Sequence, residues 1–164
     1  MREIMQLHET KIDIANDKRE KLIGILNQSL ADAFDLKSQA KQAHWNVKGP
    51  NFIALHELFD QVSTEMDTHV DDLAERVTTL GGVAMGTVRL AAQNSSLAEY
   101  PHEISDGTAH VDALSTAMAD FGKKVRANID VTDELGDKDT ADLYTGISRG
   151  IDKLLWFVEA HNQA

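Results

Sequence analysis

The chain has 164 residues, the size of one domain with one core, and carries 27 acidic against 16 basic side chains for a formal charge of -11. That balance disfavours general attraction to nucleic acid or an anionic membrane and favours attraction of cations. Cysteine is absent, which excludes disulfides, thiol catalysis and thiolate-bound metals, so a metal would have to be held by His, Asp and Glu.

Only Pro50 and Pro101 interrupt the sequence, and the spans between them have helical rather than alternating periodicity. A first helix is predicted over about 17–46, where Leu22, Ile25, Leu26, Leu30, Ala33, Leu36, Ala40 and Ala43 recur at threes and fours and stop before Gly49-Pro50. Pro50 suits a first helical turn, and a second stripe of Phe52, Leu55, Phe59, Val62, Met66, Leu73 and Val77 runs to the Gly81-Gly82 stop. VRLAAQ is predicted as a short helix inside the long connection that follows. Val111, Leu114, Met118, Phe121, Val125 and Ile129 form a third long helix, and Leu143, Ile147, Ile151, Leu154, Leu155 and Val158 a fourth.

Short first and last connections imply antiparallel neighbours, and the long middle one lets the chain cross the bundle. The expected fold is all-α: a four-helix bundle of ferritin-like connectivity over 17–164, preceded by an N-terminal tail over 1–16. Periodicity alone does not separate it from other four-helix bundles. With no apolar run of membrane-spanning length and no apolar block near the N-terminus, the chain is expected to be soluble and not exported.

The second helix carries His56 with Asp60 and, further on, Asp71 with Glu75, each pair at i, i+4 on one face. Asp60 and Asp71 are eleven residues apart, about 20° from whole turns but roughly 16 Å along the axis, so no single ion can touch both pairs. The pairs are mirror-placed about the point midway between residues 65 and 66. If two copies of this helix pack antiparallel about a two-fold axis there, His56 and Asp60 of one chain meet Asp71 and Glu75 of the other, making two equivalent sites per dimer. The same symmetry pairs Thr64 with Asp67. His44 falls on the inward stripe of the first helix and adds a nitrogen. Such a mixed shell suits Fe(II), Mn(II) or Zn(II) more than Mg or Ca. A solvated acidic face and a core histidine share the same spacing, and the E-x-x-H pairs of intrachain di-iron bundles are absent.

KQAHWNVKGPNFIALHELFD, DDLAERVTTLGGVAMGT and DTADLYTGISRGIDKLLWFVEAH together resemble the Dps family of mini-ferritins, named as DNA-binding proteins from starved cells. The resemblance implies a hollow dodecamer built from two-fold dimers, cytoplasmic or nucleoid-associated in a bacterium, that oxidises Fe(II) to Fe(III), preferably with hydrogen peroxide, and stores ferric mineral. It also implies His44, His56 and Asp60 from one subunit and Asp71 and Glu75 from its neighbour as iron ligands. Trp45 would be a redox-active neighbour of the iron, its alternative being a core aromatic. Lys41, one turn before His44, is placed to reach a site carboxylate.

The acidic stretch DELGDKDTAD reads as a helix N-terminus capped by Asp139 or Thr140. The resemblance places it at a three-fold channel that concentrates Fe(II), with Asp137 and Asp142 as channel residues. Residues 1–16 sum to -1 and the last residues AHNQA carry no lysine, so DNA binding is expected to be weak or absent despite the family name. The alternative reading, a nucleoid-protecting DNA-binding protein, lacks its phosphate-binding charge. His8, His69, His102, His110 and His161 are assigned no ligand.

Overall fold

The computed structural model describes residues 7–163; its five helices are α1 (Asn16–Asn46), α2 (Phe52–Thr79), α3 (Val88–Asn94), α4 (Gly107–Glu134) and α5 (Lys138–Glu159). No strand occurs among the described residues. α1 packs along α2 and α4 along α5, the α1–α4 and α2–α5 contacts close the bundle, and α3 lies against α1 within the crossover. This is the predicted all-α, ferritin-like arrangement.

The core is the set of stripes read from the sequence. Leu22, Leu26, Leu30 and Leu36 of α1 meet Phe59, Val62, Met66 and Leu73 of α2, with Met118 and Phe121 of α4 and Ile151 of α5. Burial of side chains of this size removes them from water at about 1.5–3 kcal/mol each. One polar tie crosses the core: Tyr144 and Ser29 hydroxyls lie 2.8 Å apart, and Asn128 donates to Ser29 at 3.2 Å, joining α5, α1 and α4. Phe52 departs from its expected core position. It is 42% exposed and lies across the ring of His56 instead.

Both ends of α2 are fixed by identifiable contacts. At its start, Gly49 has φ 112°, a left-handed conformation that side chains disfavour, and this turns the chain from α1 back along itself. At its end, buried Arg19 donates to Leu80 O at 2.7 Å and to His8 O at 3.3 Å, while His8 N donates to Gly81 O at 2.8 Å. The segment from Leu7 onward therefore lies on the bundle, with Leu7 and Ile14 against the core. Residues 1–6 of the expected tail fall outside the described residues.

The cap of α5 is Asp137, not Asp139 or Thr140. Its carboxylate accepts from Thr140 N at 3.1 Å and from the Thr140 hydroxyl at 2.5 Å. Arg76 of α2 donates to both Asp137 oxygens, at 2.9 and 3.0 Å. Burial pushes the Asp137 carboxyl up, but the Thr140 hydrogen bonds and the Arg76 guanidinium outweigh it and hold the group below its ordinary range.

A folded pKa below the unfolded one gives stability that is present above the unfolded value and lost as pH falls through the folded value. Asp137→Ala should cost about 3 kcal/mol at neutral pH, because it removes the cap and leaves Arg76 without its carboxylate. The gap in thermal midpoint between wild type and Asp137→Asn should be wide at neutral pH and close as pH falls below about 4. A gap that does not vary with pH would contradict this account.

Candidate metal centre

The Gly49 turn brings the last turn of α1 against the first of α2, and with them His44 and His56. Their rings stack, centroids 3.7 Å apart and planes 22° apart. His44 Nδ1 donates to His56 O at 2.6 Å, and His56 Nδ1 donates to His44 O at 2.8 Å. A carbonyl can only accept, so Nδ1 of each ring carries a proton, and the tautomer this selects leaves Nε2 as the nitrogen that can bind a metal. Main-chain locking of one ring nitrogen is how metal-binding imidazoles are commonly oriented. The reciprocity could not be foreseen from spacing, because it depends on the turn conformation.

Asp60, one turn after His56, is half-exposed and paired with Lys41 of α1. The hydrogen bond from Lys41 holds its carboxyl below the ordinary range, against a smaller opposing effect of burial and with help from the charge of Lys41 and from the two imidazoles. Lys37, one turn before Lys41, pairs in the same way with Asp67. Asp67, expected to meet Thr64 across the two-fold axis, thus has a partner within its own chain.

Asp71 and Glu75 stand on the exposed side of α2, far from the imidazole pair. Among the described residues no three His, Asp or Glu side chains within one chain lie close enough to hold a metal ion. The five candidate ligands are thus divided as the spacing requires: two locked imidazoles with Asp60 at one end of α2, two exposed carboxylates at the other. The aromatic and aliphatic side chains near the first group are exposed too. Trp45 is 67% and Ile53 61% exposed, with Phe52 beside His56. A core role for Trp45 is overturned: it follows His44 on the outward side of α1. Exposed apolar side chains gathered at a polar site are what a partner surface covers.

The two channel candidates differ. Asp142 is exposed, whereas Asp137 is buried and has both oxygens engaged by Arg76 and Thr140. Sequence reasoning missed that role because the partner of Asp137 lies on another helix, 61 residues away.

Residues 23–164 match the ferritin-like domain. The DNA protection during starvation protein of Agrobacterium fabrum is 46% identical over 159 residues, covering 97% of this chain and 98% of that protein. Among solved structures, DpsA14 from Streptomyces coelicolor superposes with a TM-score of 0.92 at 33% identity, covering 98% of this chain and 95% of that one. Dps of Mycobacterium smegmatis gives 0.91 at 29% identity, covering 95% of each. No helix among the described residues is long and apolar enough to cross a membrane.

Lys41 competes with a cation for Asp60, and the pair is partly exposed, so its strength is at most about 1 kcal/mol. Lys41→Met should therefore tighten Fe(II) or Zn(II) binding by about two- to fivefold in anaerobic calorimetry. Weaker binding would mean that the lysine holds the site in shape rather than competing for it.

Proposed function

The chain belongs to the Dps family of ferritin-like proteins, and from that premise we propose that it is an iron-storing ferroxidase whose centre is shared between two subunits. The observation that carries the proposal is the stacked imidazole pair with both Nδ1 protons held by main-chain carbonyls. It offers two nitrogen donors at fixed positions and needs carboxylates that its own α2 holds too far along. In the proposed assembly His44, His56 and Asp60 of one subunit bind Fe(II) together with the partner subunit's Asp71 and Glu75.

Iron is the substrate here. Two Fe(II) ions each give up one electron, the O–O bond of hydrogen peroxide breaks, and two protons complete two molecules of water. Delivering both electrons together avoids the hydroxyl radical that a single electron would release. The ferric product is stored as mineral inside a hollow dodecamer, and exposed Asp142 is the better placed of the two acidic candidates to draw Fe(II) toward a channel. The protein works in the cytoplasm, where iron and peroxide meet, and protects against oxidative damage by removing both.

DNA binding is not proposed as its main activity. The formal charge is -11, and residues from His8 onward are tied to the end of α2 and do not extend as a basic arm. A gel shift at physiological salt should show no retarded band, and appreciable affinity would require a phosphate-binding surface elsewhere.

The activity is tested by adding Fe(II) and hydrogen peroxide to the iron-free protein and following ferric absorbance. Wild type should consume about one peroxide for every two Fe(II), as two-electron reduction requires. A His44→Ala, His56→Ala double variant should lose more than about tenfold in initial rate, since even loss of groups that only orient ligands costs that much. A double variant as fast as wild type would sink the assignment.

A further inference from the structure

A second donor pair lies on the other side of α2. His69 is only 7% exposed, and neither of its ring nitrogens has a hydrogen-bond partner among the described residues. An imidazole taken out of water with both nitrogens unsatisfied loses its hydration with no return, and native proteins rarely leave such a group without a partner. The nearest candidate is Glu65, one turn earlier, whose Oε1 is 3.6 Å from His69 Nε2. That is too far for a hydrogen bond. It is, however, close to the separation of about 3.3–3.6 Å expected between two donors on one ion at bond lengths near 2.0–2.1 Å and tetrahedral to trigonal angles.

The facing helix brings no side chain against the pair. Gly150 of α5 presents bare backbone to the pair: a Cβ there would stand 3.2 Å from Glu65 Oε1 and 3.4 Å from His69 Nε2. Any larger residue would fill the space next to both donors. The Glu65 side chain is 47% exposed, so the carboxylate of the pair meets solvent while the imidazole is buried.

At about 100° per residue, Glu65 and His69 lie more than roughly 120° round α2 from the middle of the face bearing His56, Asp60, Asp71 and Glu75. An ion held by them cannot belong to the shared centre. We propose that His69 and Glu65, beside the bare backbone of Gly150, form a second cation site on each chain, taking one divalent first-row transition-metal ion such as Fe(II), Co(II) or Zn(II). One imidazole and one carboxylate favour these over Mg or Ca, which prefer all-oxygen shells. With two protein donors and water completing the shell, the site holds an exchangeable ion and not a structural one.

The probe is Co(II), titrated anaerobically into the assembled protein by equilibrium dialysis and followed by its visible absorption. His69→Gln keeps a polar side chain of similar length, and Gly150→Ala adds only a methyl in a helix, where alanine is favoured over glycine. Each variant should bind one Co(II) fewer per chain than wild type while its initial ferroxidation rate stays within about twofold. Unchanged Co(II) binding in either variant overturns the site, as does loss of ferroxidation together with Co(II), which would assign His69 to the shared centre. Should wild type fail to oxidise iron at all, the Co(II) count remains readable, so the two proposals fail separately.

Discussion

From His56 to Glu75 the axis of α2 rises about 28 Å, so the donors at its two ends cannot meet within one chain. The proposed shared centre follows from that rigidity. His44 and His56 are stacked, oriented and each have one nitrogen committed to main chain. The carboxylates at 71 and 75 are exposed and stand apart from them. A two-fold axis through the middle of the helix is the simplest operation that would join the two groups, and it would produce two sites for one interface.

The contacts at the ends of α2 acquire a purpose in that light. The left-handed turn at Gly49 sets how α1 and α2 meet, and hence whether the two imidazoles can bond each other's carbonyls. At the far end, Arg19 holds the Leu80 carbonyl and Arg76 holds Asp137, fixing the helix beside Glu75 against the N-terminal segment and against α5. A site assembled from two copies, as proposed, would need both ends held, because an error at either would be transmitted to the neighbouring chain. Lys41 and Lys37 neutralise Asp60 and Asp67 along the α1–α2 seam, so a cation has to displace an ammonium to reach Asp60.

Much of this was legible in the sequence, because helical periodicity fixes which residues share a face. The five helices, the crossover and the division of the candidate ligands into two groups follow from spacing and from two prolines and a few glycines. What spacing could not reveal was any contact between residues distant in the chain. The sequence suggests Asp137 as a channel residue beside Asp142, and only the approach of Arg76 makes it a buried cap. Phe52 fitted the apolar stripe by position but sits in the first turn, beyond the edge of the core, and covers His56. The sequence assigns His69 no ligand; its burial without a hydrogen-bond partner, beside Glu65 and the bare backbone of Gly150, appears only in the structure.

The shared centre is tested most directly by mixing two disabled subunits. A His44→Ala, His56→Ala chain and an Asp71→Asn, Glu75→Gln chain should each be inactive alone. In a two-fold dimer of one with the other, one of the two sites is intact and the other doubly broken. Co-assembly in equal amounts should therefore restore ferroxidation to about one quarter of the wild-type rate, since about half of the dimers are mixed and half of their sites are whole. Mixed assemblies as inactive as their parents, or an active parent on its own, would contradict a centre built from two chains.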